Sequence, residues 1–126
     1  MKIINCTPHS INVQPEDGST ILVIPASGSV IRIDTEPRAV FHTTPEGVPV
    51  ALSDKMKEVY IENEAGERSP LSTSVEGEYY LVSAIVGSLL KNERTDLLIG
   101  ASSPADKPHR HATKGFITAV RRLKQP

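Results

Sequence analysis

The sequence predicts a β-rich α+β fold: one small domain spanning residues 1–126, with a single main helix after a strand, dimerising or assembling further. Three observations carry that expectation. Short β-branched runs recur at close intervals, punctuated by Gly, Pro, Asn and Asp. One stretch, residues 82–90, changes its apolar period from two to helical spacing. The length of 126 residues suits one domain, and a domain of that size buries about two-thirds of its extended-chain surface.

Taken in order, residues 2–5 and 10–14 are the first strands, the second alternating Ile11 and Val13 against polar neighbours. Residues 16–19 (EDGS) form a turn, since Gly18 accepts positive φ. The continuous run 20–24 (TILVI) reads as a strand covered on both faces. In 29–34, Ile31 and Ile33 point one way and Arg32 the other, so Arg32 should stand off the core. Residues 38–43 and 47–52 are further strands, with Pro49 placing the second at an edge. Residues 57–62 fit strand or helix, and 64–67 a turn. Tyr79–Val82 is a strand leading into a helix of about ten residues, with Ser83 as N-cap and Gly87 admitting a close neighbour. Residues 97–99 form a short strand, 104–114 a polar loop and 115–123 a last strand. The helix is apolar over more than half its circumference, which fits either a second subunit or full burial in one domain.

Composition narrows the function. Net charge is −1, yet residues 1–100 carry 8 Lys+Arg against 14 Asp+Glu, while 101–126 carry six basic residues against Asp106 alone. Such a split marks either a segment that meets anions or a solvated basic tail. With five aromatics and no Trp, a single-strand platform of stacked bases is not expected, and a small phosphorylated ligand fits better than long nucleic acid. The near-apolar run 81–90 is too short for a bilayer, which takes about 20 residues. The opening MKIINCTPH has neither an apolar segment nor a cleavage site, so a cytoplasmic protein is expected. The lone Cys6 excludes an internal disulfide and a cysteine zinc cluster.

Chemistry-bearing residues are few. In Asn5-Cys6-Thr7-Pro8-His9, Pro8 holds Thr7 extended, so that Asn5, Thr7 and His9 either form a rigid polar rim or satisfy local backbone. Cys6 and His9, three apart on an extended segment, point to opposite faces, and Cys6 reads as core. His109 and His111 are at most half of a metal site, so no metal or cofactor is expected. Glu62, Glu64 and Glu67 flank a turn and read as a solvated hairpin tip. GxxxxGK[ST], GxGxxG and HExxH are absent from the sequence. Anion-binding groups without an evident nucleophile favour binding over catalysis.

The ordered set Asn5–His9, Ile31-Arg32-Ile33, Gly47-Val48-Pro49-Val50, Tyr79–Ser83, Arg94–Leu98 and Gly115-Phe116-Ile117 resembles, over nearly the whole chain, the phage and prophage proteins of the first Thoeris anti-defence family. That resemblance implies an anti-defence sponge. Thoeris defence uses a TIR-domain enzyme to make a cyclic ADP-ribose isomer as its signal. Family members bind it without cleaving it, form homodimers and in some cases hexamers (trimers of dimers), and some hold CBASS cyclic oligonucleotides at a separate site. The resemblance places the pyrophosphate-clamping arginines on Arg32 and Arg110, a role suited to a planar, permanently charged fork. His111 stands where the family commonly has an acidic residue. Asn5, Thr7, His9 and His111 complete the expected ligand-binding set. Lys91, Arg94, Arg121 and Arg122 are either a second anion site or surface charge. A nucleotide-cleaving enzyme and a phage structural or protein-binding component are the alternative readings.

Overall fold

The computed structural model describes residues 1–18 and 20–126. The elements in chain order begin with β1 (Lys2–Asn5), β2 (Ile11–Val13), β3 (Leu22–Ile24), β4 (Val30–Glu36), β5 (Val40–Thr43) and β6 (Pro49–Ala51). Next come β7 (Lys55–Glu62), β8 (Arg68–Pro70), β9 (Glu78–Leu81), helix α1 (Ala84–Leu90) and β10 (Leu97–Gly100). A 3-10 turn (Pro104–Asp106), β11 (His109–Arg110), β12 (Ile117–Ala119) and β13 (Leu123–Lys124) complete the chain. The β-rich α+β expectation holds.

The central sheet has the order β1-β9-β10-β13. Its first three strands are mutually parallel and β13 runs antiparallel to β10. Parallel neighbours need a crossover connection, and α1 supplies the one between β9 and β10. Leu81, Val82, Leu90 and Leu97 are almost completely buried there and join Cys6, Ile31, Tyr80 and Val86 in the core. Ser83 caps α1, its Oγ accepting from Val86 N at 3.3 Å. The helix runs seven residues rather than the expected ten, and Lys91–Glu93 turns away. Gly87 admits its neighbours as expected, since a Cβ there would fall 2.7 Å from Ile99 Cγ2 and 2.9 Å from Pro126 Cγ.

A second, antiparallel sheet has the order β4-β7-β8, which settles residues 57–62 as strand. Period-two alternation turns Ile31 into the core and leaves Arg32 exposed, as expected. The carboxylates expected at a hairpin tip lie there, with Asn63 Oδ1 accepting from Ala65 N and Glu67 N to hold the turn.

Three readings are corrected. The 20–24 run is not covered on both faces: among the described residues β3 pairs only with β2, and Ile21, Leu22 and Val23 are about half exposed. Its apolar continuity reflects a surface left open in one chain, not central position. Residues 115–123 are not one strand. Gly115 turns with a φ of 75°, Ile117–Ala119 pairs with β11, and after a break Leu123–Lys124 joins β10 in the central sheet. The 104–114 stretch is not wholly loop, since it contains the 3-10 turn and β11. In the expected 16–19 turn, Gly18 does take a positive φ of 74°, while Ser19 lies outside the described residues.

Candidate functional site

Strand β4 is the outer strand of its sheet, and its far edge is tied to the N-terminal segment by the bond from Ile31 N to Cys6 O, 3.0 Å. Along this seam runs a groove of about 420 Å³ lined on its apolar side by Ile31, Ile33, Tyr60, Ile85 and Val86. Thr7, Pro8 and Arg32 line its polar rim. The same three residues also border a second groove of about 320 Å³, which continues toward Gly28, Glu62, Asn63 and Glu64. Arg32 therefore stands on the ridge between an apolar and a polar compartment.

The β4–β7 register explains the surroundings of Arg32. Arg32 lies opposite Tyr60 and diagonal to Glu62, and diagonal neighbours share a face within reach of long side chains. Arg32 Nε lies 3.3 Å from Glu62 Oε1. One step along, Arg68 Nη1 donates to Asp34 Oδ2 at 2.9 Å and the Tyr60 hydroxyl meets Asp34 Oδ1 at 3.3 Å. The Arg68 guanidinium covers the Tyr60 ring at 4.1 Å; burial pushes the Tyr60 hydroxyl above its ordinary value, and the Arg68 charge offsets only part of that. Tyr60 is thus a fixed floor beside Arg32. Glu62 approaches Arg32 at Nε, and among the described residues the two terminal nitrogens donate no hydrogen bond to the protein.

Asn5 and Thr7 form a buried polar pair, and they face inward. Asn5 Oδ1 accepts from Thr7 N (3.0 Å) and from Thr7 Oγ1 (2.6 Å), while its Nδ2 donates to His9 O and Ile24 O, both at 2.9 Å. Both side chains are buried and fully used in joining β1 to the β2–β3 hairpin. Of the two alternatives, polar rim or local satisfaction, the bonding of Asn5 and Thr7 is the second, and Thr7 also lines the groove. His9 is exposed and does not line the groove. Cys6 is buried, its thiol pushed up by burial, and no hydrogen bond joins it to His9 among the described residues.

Arg110 and His111 lie elsewhere, on the β11–β12 hairpin. Arg110 Nη1 donates to Gly115 O at 2.9 Å, and His111 Nδ1 accepts from Lys114 N (3.0 Å) while its ring stacks on Phe116 at 4.9 Å. Within one chain they do not line the Arg32 groove. His109, with a ring nitrogen 2.9 Å from Gln14 O, ties this hairpin to the segment after β2. No metal-holding cluster of three His, Cys, Asp or Glu occurs among the described residues.

Three of the four candidate second-site cations are engaged internally. Arg94 grips Asp96 through two bonds (2.8 and 2.6 Å) and Ser72 O through a third. Arg121 donates to Lys107 O and Asp17, and Arg122 to Asp106. The Arg94 contact holds Asp96 well below the usual carboxylate range, and Lys124 with Ser103 does the same more strongly to Asp106. The sequence reading missed Tyr60, Asn63 and Ile85 as neighbours of Arg32. Only the strand register and the helix position bring them there, although the excess apolar surface of α1 was a signal for Ile85. No helix among the described residues is long and apolar enough to cross a membrane. Comparison with protein-family models, curated proteins and solved structures finds no match for this chain.

Proposed function

We propose that the protein is a non-catalytic sponge that binds a small cyclic ADP-ribose isomer, with a phosphate of the ligand on Arg32 and an apolar ring face in the groove beside Tyr60 and Ile85. The observation that carries the reading is the position of Arg32: charged and off the core, its terminal nitrogens donating no hydrogen bond to the protein among the described residues, on the lip of a groove whose floor is apolar. A paired guanidinium edge suits phosphate oxygens, and an apolar floor with few polar groups suits a nucleobase.

One chain leaves this groove half-open, and Ile85 on its wall is 74% exposed. In the proposed working form two copies meet across α1, closing the groove from above, and Arg110 with His111 reaches the ligand from the second copy. Enclosure of this kind slows release, which is what sequestration requires. The groove carries no buried nucleophile beside a base, so holding the ligand intact is the chemistry it favours.

Calorimetric titration with glycocyclic ADP-ribose, followed by heat release and chromatography of the ligand, tests the proposal. Tight binding with intact ligand recovered is expected. Arg32→Ala should weaken binding by at least about 100-fold, since two charge-assisted hydrogen bonds are worth about 3 kcal/mol or more. Conversion of the ligand would make the protein an enzyme, and wild-type affinity in Arg32→Ala would move the site away from this groove.

A further inference from the structure

The two grooves that share Arg32 differ in chemistry, and the polar one lies outside the phosphate and ring contacts proposed above. Its wall holds Glu62, Asn63 and Glu64 at the β7–β8 turn. The Asn63 Oδ1 is used by the turn, but among the described residues its Nδ2 donates to no protein acceptor and the Glu64 carboxylate accepts no hydrogen bond. Glu64 is nonetheless placed against the groove floor. Gly28 lies beneath it with a φ of 92°, and a Cβ at that position would fall 2.6 Å from Glu64 Oε1. Glycine here both takes the left-handed conformation and leaves room for the carboxylate.

We infer that this polar compartment is a ribose subsite, in which Glu64 and Asn63 read the hydroxyls of a sugar attached to the phosphate held by Arg32. An ionised carboxylate only accepts hydrogen bonds, and the Asn63 amide nitrogen only donates. Together they match a vicinal diol, each of whose hydroxyls both donates and accepts. Two carboxylates against one guanidinium leave this side net negative, so it repels a further anionic group and takes a neutral, hydroxyl-bearing one. The ligand class that satisfies both compartments has an anionic group between an apolar ring and a sugar. The inference rests on the proposed function, because it deepens the same site.

The test titrates wild type and Glu64→Ala with two probes, glycocyclic ADP-ribose and inorganic pyrophosphate, in buffer containing EDTA and again with magnesium. Because Glu64 is exposed and accepts no hydrogen bond among the described residues, the variant should melt at the wild-type temperature. The expected result is a roughly tenfold loss for the sugar-bearing probe with pyrophosphate binding unchanged or tighter, in both buffers. Unchanged or tighter binding of both probes overturns the ribose subsite and leaves the sponge reading standing. A loss seen only with magnesium overturns it in favour of a carboxylate-held cation bridging to phosphate. Binding of neither probe by the wild type overturns the sponge reading and the subsite with it.

Discussion

Arg32 and Glu62 are set against each other by the strand register, and the consequence for affinity has a definite sign. Glu62 orients the guanidinium through Nε at 3.3 Å, yet its charge opposes any phosphate that docks on the outer nitrogens. Glu62→Gln keeps an acceptor for Nε and removes the charge. It should tighten phosphate binding by about three- to tenfold, since a partly exposed like charge at this range is worth about 1 kcal/mol; titration at low and high salt should show the gain shrinking as salt rises. The contrast is Asn5, whose amide makes four bonds in a buried corner. Asn5→Ala takes the side-chain partner from Ile24 O and the acceptor from Thr7 N, while His9 O keeps the Thr7 hydroxyl at 2.9 Å, so it should cost about 2 kcal/mol in urea unfolding.

Helix α1 shows how a local preference yields to packing. Alanine is favoured over glycine inside a helix by about 1 kcal/mol, so Gly87→Ala would stabilise an isolated α1. In the fold its methyl meets Ile99 Cγ2 at 2.7 Å and the Pro126 ring at 2.9 Å, and overpacking costs about 1–3 kcal/mol. The variant should therefore lower the melting temperature, and removing Pro126 as well should recover part of the loss. The close approach at Gly87 was readable in the sequence because an unfavourable helical residue demands a packing reason. The cap at Ser83 and the outward turn of Arg32 were readable because period and capping are local. The parallel pairing of β1, β9 and β10 was not, since a register between residues some 75 positions apart leaves no periodic trace. The β3 run misled for a related reason: an apolar strand reads the same whether its own chain or another surface covers it. The site was legible to the same degree. Arg32 announced itself by alternation, whereas the Glu62, Asn63 and Glu64 wall exists only through the β4–β7 register.

For the molecule as a whole, two buried carboxylates pin the ends of the central sheet. Asp96 is gripped by Arg94 before β10, and Asp106 holds Lys124 of β13 at 2.7 Å and Arg122 at 2.9 Å. Both titrate below their ordinary value near 3.8. A depressed carboxylate contributes stability that is fully present above its unfolded value and is lost as pH falls through the folded one. Urea midpoints should be level from about pH 5 to 8 and fall below about pH 4, and Asp106→Asn should flatten that acid limb. The same scale governs association. Ile85 and Leu89, one helical turn apart on α1, are 74% and 43% exposed, and Leu22, Val23, Val40 and Phe41 on the two hairpins are more than half exposed. Burying one such side chain is worth about 1.5–3 kcal/mol, and Ile85 also walls the groove. On the proposed two-copy form, Ile85→Glu should shift sedimentation toward the monomer and, in the same preparation, weaken binding of glycocyclic ADP-ribose. A variant that becomes monomeric yet binds at wild-type strength would place the whole site within one chain and remove any contribution of Arg110 from a second copy.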